Sequence, residues 1–267
     1  MLHCNNQKYK RLFTFGCSFT KWLWPTWADI IAHDIELHYQ NWGAGGAGNV
    51  AIANRMLECD MLNNFTEDDL ILVCWSTLCR EDRYFDNEGW YLGGNIHHQA
   101  GDPWSKYPPE FAQKYWSLDN DLIKTMSSII MANKGFPVKY EAMVTNFDEL
   151  FIDYDKEKSL PYKFYKSYFP TDSFPWNPKE QKPFDDHLDY GENHPDILAH
   201  LNFVENFVYP NLDLQIKPQT KEHYINLQQK VIDHLKIKEI KNLEHAGQIM
   251  NKLCDFRNKS YGYYSDL

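Results

Sequence analysis

An α/β fold built on a mainly parallel sheet is predicted by three observations. Between Arg11 and Trp75, apolar strand-like runs alternate with segments of helical spacing. Asp69–Trp75 holds an unbroken Leu-Ile-Leu-Val-Cys run, the pattern of a strand buried on both faces. Glycine-rich or small polar residues follow each run, at Gly16, at Gly43–Gly48 and at Ser76. A β-α-β-α-β order of this kind implies parallel strands, because each needs a crossover to reach the next.

The elements follow in order. Arg11–Phe15 reads as the first strand and Trp24–Asp34 as the first helix, with Pro25 at an early helical position where its missing donor costs little. Leu37–Asn41 is a short second strand, Val50–Cys59 a helix and Asp69–Trp75 the third strand. Glu81–Pro109 has no sustained period and reads as a long loop over the carboxyl edge of the sheet. Phe111–Asn133 has helical spacing, and Val138–Thr145 reads as a strand after the Gly135-Phe136-Pro137 break. Phe147–Asp189, interrupted by five prolines, is again irregular; with its aromatic content it reads as a lid. Ile197–Val208 and Gln219–Leu235 are helical, Ile237–Phe256 adds short helical pieces, and Asn258–Leu267 is a polar aromatic tail. The 267 residues are taken as one domain, with insertions at about 81–109 and 147–189 and a helical C-terminal extension at about 211–267.

Composition narrows the function. A net charge of −10 argues against nucleic acid as a partner, since that affinity rests on clustered Lys and Arg releasing counterions. No segment approaches the roughly 20 apolar residues of a membrane span, and the polar start lacks a secretory signal, so a cytoplasmic location is expected. The six cysteines are spread out with no CxxC pair, which fits buried free thiols in a reducing compartment better than a structural zinc site. No metal or cofactor is expected; the adjacent His97 and His98 suit a loop. Nine Trp, 17 Tyr and 16 Phe exceed what a core of this size needs in its polar stretches, so some are expected to line a recognition surface and others to pack the insertions.

The chemistry centres on Phe13–Thr20, Phe-Thr-Phe-Gly-Cys-Ser-Phe-Thr, which sets the hydroxyl of Ser18 just past a strand end. A serine there serves as a nucleophile or as ordinary turn and capping chemistry. Gly16-Cys17-Ser18-Phe19-Thr20, Asn41-Trp42-Gly43-Ala44-Gly45-Gly46, the Asp69–Trp75 strand and Glu192-Asn193-His194-Pro195 before a late helix occur in a fixed order. In that order they resemble the blocks of the SGNH (GDSL-like) hydrolases. Trp24-Pro25-Thr26-Trp27-Ala28-Asp29 and Trp75-Ser76-Thr77-Leu78-Cys79-Arg80 also resemble a subgroup encoded by bacteriophages.

The resemblance implies a three-layer α/β/α flavodoxin-like sandwich with its site at the carboxyl ends of the strands. It implies a serine esterase on a small-molecule or glycan ester, in the host cytoplasm or the virion. Ser18 would be the nucleophile, His194 the base, and the amides of Ser18 and Gly46 the oxyanion donors. In two places the chain departs from the family. Leu78 stands where the family carries a donor Asn, leaving Ser76, Thr77 or Arg80 to supply that donor or to cap a turn; Ser76 is taken for the oxyanion hole. Gly191 stands where the family carries the acid, so Glu192 is taken as the acid, with Asp189 next and Asp186 nearby. A non-catalytic SGNH-fold binding or virion-associated module is the alternative. A nucleotide or flavin binder ranks below both, because Gly43–Gly48 departs from the dinucleotide fingerprint and lacks the Lys-Ser/Thr of a P-loop.

Overall fold

The computed structural model describes residues 8–86, 89–95, 107–144, 159–168, 194–235 and 243–254, and every structural statement below concerns these. Four parallel strands form the sheet in the order β2-β1-β3-β6: β1 (Arg11–Gly16), β2 (His38–Asn41), β3 (Asp69–Trp75) and β6 (Val138–Met143). Every residue of β3 is buried, and Leu12, Phe13 and Phe15 of β1 are 0% exposed, which is why these strands read as continuous apolar runs. Each such side chain contributes about 1.5–3 kcal/mol of burial. At the amino ends of β1 and β3, Arg11 grips the carboxylate of Asp69 through Nε and Nη2, both at 2.7 Å.

The helices fall into two contact groups. Helix α1 (Trp27–Ile35) packs on α6 (Ile197–Phe203), on the π-helical turn Val204–Val208 that extends α6, and on α8 (Pro218–Leu235); α8 also carries α9 (Leu243–Cys254). A three-residue helix α7, Tyr209–Asn211, follows the π turn, and the Tyr209 hydroxyl donates to Asp34 of α1 at 2.7 Å. Helix α2 (Asn49–Asn63) packs on β1 and on α4 (Leu118–Gly135), and α4 carries α5 (Leu160–Tyr168). No described helix is long and apolar enough to cross a membrane.

Four sequence expectations change. Pro25 precedes α1 instead of entering it; Thr26 is the N-cap, and its amide donates 2.9 Å to Asp29 in a capping box. Residues 80–95 form an antiparallel hairpin, β4 (Arg80–Phe85) with β5 (Gly89–Asn95), where a loop is expected. The helix expected over Phe111–Asn133 is two, α3 (Pro109–Tyr115) and α4, because Ser117 caps a fresh start by accepting from the Asn120 amide at 3.4 Å. Residues 160–168, expected to be irregular, form helix α5. Asp189, His97, His98 and the C-terminal tail lie outside the described residues.

Candidate active site

Strand order sets where a site can form. The chain leaves β1 toward β2 and then crosses back to β3, so the carboxyl ends of β1 and β3 adjoin where the winding reverses, the usual ligand crevice of an open α/β sheet. Ser18 sits at this point. The turn that carries it is closed by Thr20 N and Lys21 N, which both donate to Cys17 O at 2.9 and 3.2 Å. Gly16 is dictated by crowding, since a Cβ there would lie 2.0 Å from Thr20 Oγ1 and 2.7 Å from Cys74 O. Ser18 is 4% exposed.

Two buried asparagines lace the loops together. Asn41 donates from Nδ2 to Thr20 O at 2.9 Å and accepts from Gly43 N at 3.0 Å, tying the loop after β2 to the Ser18 turn. Asn49 accepts from Ser76 N at 2.7 Å and donates to Ser76 O and Thr125 Oγ1 at 3.1 and 3.0 Å, tying the start of α2 to the loop after β3 and to α4. These residues bound the glycine segment in the sequence, yet their roles depend on partners 21 to 76 residues away.

The hairpin clasps the glycine segment. The Asp82 carboxylate accepts from Gly48 N at 2.9 Å and Ala51 N at 3.1 Å, capping α2 from outside; Arg80 Nη1 donates to Ala47 O at 2.9 Å, and Gly94 N to Gly46 O at 3.1 Å. Burial pushes Asp82 up to about 6, although both amides and Arg80 oppose it. Gly46 carries φ 75°, and a Cβ there would meet Leu92 O at 2.8 Å. Among the described residues, no protein acceptor takes the Gly45 or Gly46 amide.

His194 reaches the same turn. Its ring stacks on Trp22 at 3.8 Å with an 8° interplanar angle and lies 5.5 Å from the Phe19 ring, while Trp24 Nε1 donates to Pro195 O at 2.9 Å. The structure therefore brings Ser18 and His194 to one loop, with no hydrogen bond between them among the described residues. Catalytic hydrogen bonds commonly tighten only in the substrate complex. Asp196, two residues on, caps α6 through Ala199 N at 2.8 Å and accepts from Gln228 Nε2 at 2.9 Å. His200, one turn into α6, is driven down to about 3 by burial and by His194, so it stays neutral. Lys21, three residues past Ser18, is lowered to about 8 by burial and by Arg55, against Asp29.

The remaining expected site residues stand as follows. Ser76 is fully buried; its amide is committed to Asn49, and its hydroxyl has no hydrogen-bond partner. Leu78 is a core residue at 2% exposure, and the Arg80 guanidinium is engaged with Ala47. Glu192, Asp189 and Asp186 lie outside the described residues. Cys17, Cys59, Cys74 and Cys79 are buried free thiols, and burial holds Cys79 up at about 11. Among the described residues, no group of three or more His, Cys, Asp or Glu side chains is placed to hold a metal ion. Sequence reasoning missed the roles of Trp22, Asn41, Asn49 and Asp82; the two asparagines bound the glycine segment that it singled out, Trp22 falls between two of its motifs, and Asp82 lies in the stretch read as a loop.

Comparison with protein-family models gives no match, and comparison with curated proteins gives none either.

Proposed function

We propose that the chain is a serine ester hydrolase of the SGNH type, acting without metal or cofactor on a small-molecule or glycan ester. One observation carries the reading: His194-Pro195 is held against the same β1–α1 turn that presents Ser18 beyond a buried parallel strand, through a bond spanning 171 residues. In this reading Ser18 Oγ attacks the acyl carbonyl carbon as His194 takes its proton. The oxyanion is met by the Ser18 and Gly46 amides, preorganised donors worth about 2.7–4 kcal/mol each in such sites. The alcohol leaves with the proton from His194, and a water activated by the same imidazole then releases the acid and frees Ser18. Glu192, or failing it Asp189, orients His194.

The three-layer flavodoxin-like sandwich belongs to the same proposal. Right-handed crossovers on a sheet whose winding reverses beside β1 set α1 and α2 on opposite faces, which accords with their separate contact groups. The phage-encoded subgroup would place the protein in the host cytoplasm or the virion. A non-catalytic SGNH-fold module is the second reading, favoured by Leu78 at the donor position and by the commitment of the Ser76 amide.

Fluorophosphonate labelling followed by peptide mapping decides between them. Wild type should be labelled on Ser18, with the label abolished in S18A and strongly reduced in H194A. A folded wild type that takes no label and leaves p-nitrophenyl acetate intact identifies the binding module.

A further inference from the structure

The geometry points to a saccharide-binding cleft between the β4–β5 hairpin and the α3–α4 junction, separate from the Ser18 turn. The cleft has a volume of about 130 Å³, and its lining includes Arg80, Glu81, Tyr115, Trp116, Asp121 and Lys124. Two of its aromatic rings face solvent: Tyr115 is 60% and Trp116 36% exposed, although Trp24, Trp27, Trp42 and Trp75 are all buried in the core. Exposed rings of this size beside a polar depression mark a recognition surface.

The polar side of the cleft is built. Asp121 is 5% exposed, and its Oδ2 accepts from Trp116 Nε1 at 2.9 Å, which fixes the orientation of the indole. Glu81 is bridged by Lys124 at 2.8 Å and Arg83 at 3.4 Å, and Arg83 in turn lies 4.9 Å over the Phe111 ring. Arg80 adds a guanidinium that donates to the neutral carbonyl of Ala47 at 2.9 Å, so inorganic phosphate is a necessary comparison ligand for this cleft. The cleft offers carboxylate acceptors and guanidinium and ammonium donors beside a hydrocarbon ring face.

That combination suits a polyhydroxylated ring. A pyranose presents a face of C–H bonds that packs on an indole and an edge of hydroxyls that both donate and accept, matching carboxylates and cations held in one rim. A flat base would prefer a parallel-walled slot, whereas the Phe111 and Tyr115 rings here are tilted by 44°. The cleft also adjoins the reactive loops mechanically, because Arg80 touches both its lining and the glycine segment. Saccharide binding here does not depend on hydrolysis at Ser18.

The test uses the full-length S18A protein, so that binding is read without turnover. Chitotetraose, cellotetraose, maltotetraose and xylotetraose are titrated by saturation-transfer NMR and calorimetry, with adenosine and inorganic phosphate as comparison ligands. At least one tetrasaccharide should bind, W116A and Y115A should each weaken it at least tenfold without changing the far-UV spectrum, and W116F should retain most of the affinity. The inference falls if no tetrasaccharide binds, if the tightest binder is unaffected by W116A and Y115A, or if only adenosine or phosphate binds. Fluorophosphonate labelling of W116A on a wild-type Ser18 background should match wild type, which separates failure of the cleft from failure of the hydrolase reading.

Discussion

Substituting Asp82 tests whether the hairpin is structural in the way its contacts suggest. Its carboxylate supplies acceptors to Gly48 N and Ala51 N at the start of α2, where Gly48 itself has no side chain to cap with. In D82A both amides lose their partner, at about 1–3 kcal/mol for each unsatisfied buried donor with some recovery by water; at pH 4.5, where the carboxyl is largely protonated and little buried charge is relieved, the net cost should be about 2–4 kcal/mol. For a chain of 267 residues that corresponds to a melting point lower by about 4–7 °C. D82N separates charge from geometry. Burial raises the folded carboxyl from 3.8 to about 6, so the folded state binds a proton more tightly than the unfolded one between those values. Stability from this site therefore falls as pH rises through about 4 to 6, and the ionised form costs about 3 kcal/mol above that window. The carboxamide avoids that cost and loses one of two acceptors, worth about 1 kcal/mol, so D82N should equal or exceed wild type at pH 7.5 and lose its advantage at pH 4.5. Calorimetric melts of the three proteins at both pH values decide the matter. If D82N melts as low as D82A at pH 7.5, the buried-charge account is wrong; if D82A melts within a degree of wild type at pH 4.5, the hairpin does not clasp the loop.

Three other outcomes follow from named contacts. On the proposed hydrolase reading, W22L, which removes the ring stacked on His194, should lower kcat on p-nitrophenyl acetate with little change in KM while W22F retains most of it; unchanged kcat in W22L would show that the stack positions nothing. N49A deletes three buried hydrogen bonds and should cost about 2–4 kcal/mol in urea unfolding, and a loss under 1 kcal/mol would mean the loops after β2 and β3 are held by something else. E192Q should lower turnover by about 10⁴-fold, as loss of a histidine-orienting carboxylate does elsewhere, with D189N mild. The reverse result moves the acid to Asp189, and if both variants are mild, His194 works in a Ser-His dyad or not at all.

How much of this was legible depends on where each residue finds its partners. Strand Asp69–Trp75 was bounded correctly because burial on both faces leaves a continuous apolar run that needs no distant information. The Thr26-x-x-Asp29 box was visible in the sequence and would have moved Pro25 out of the helix had it been weighed against the proline rule. The hairpin was missed for a different reason. Arg80, Glu81, Asp82 and Arg83 show no apolar alternation and so read as leading into a loop, yet each meets a tertiary partner: Ala47, Lys124, the α2 amides and the Phe111 face. Local pattern records that these side chains are charged and says nothing of what neutralises them. The sequence Asp86-Asn87-Glu88-Gly89, rich in residue types that favour turns, was the available signal for the reversal.

The same distinction governs what the site needs. Ser18 owes its place to strand order, since β1 lies between β2 and β3 and its carboxyl end opens where the winding reverses. Gly46 owes its place to the hairpin, because Gly94 N fixes its carbonyl while Arg80 and Asp82 hold the residues beyond it. An oxyanion donor is effective only when its direction is set before the charge develops, so these contacts supply rigidity at a flexible glycine-rich segment. A binding module on the same scaffold would need the same rigidity to present its loops. Stability effects at Asp82 and Asn49 therefore report on the scaffold under either reading, and the nucleophilicity of Ser18 is the property that separates them.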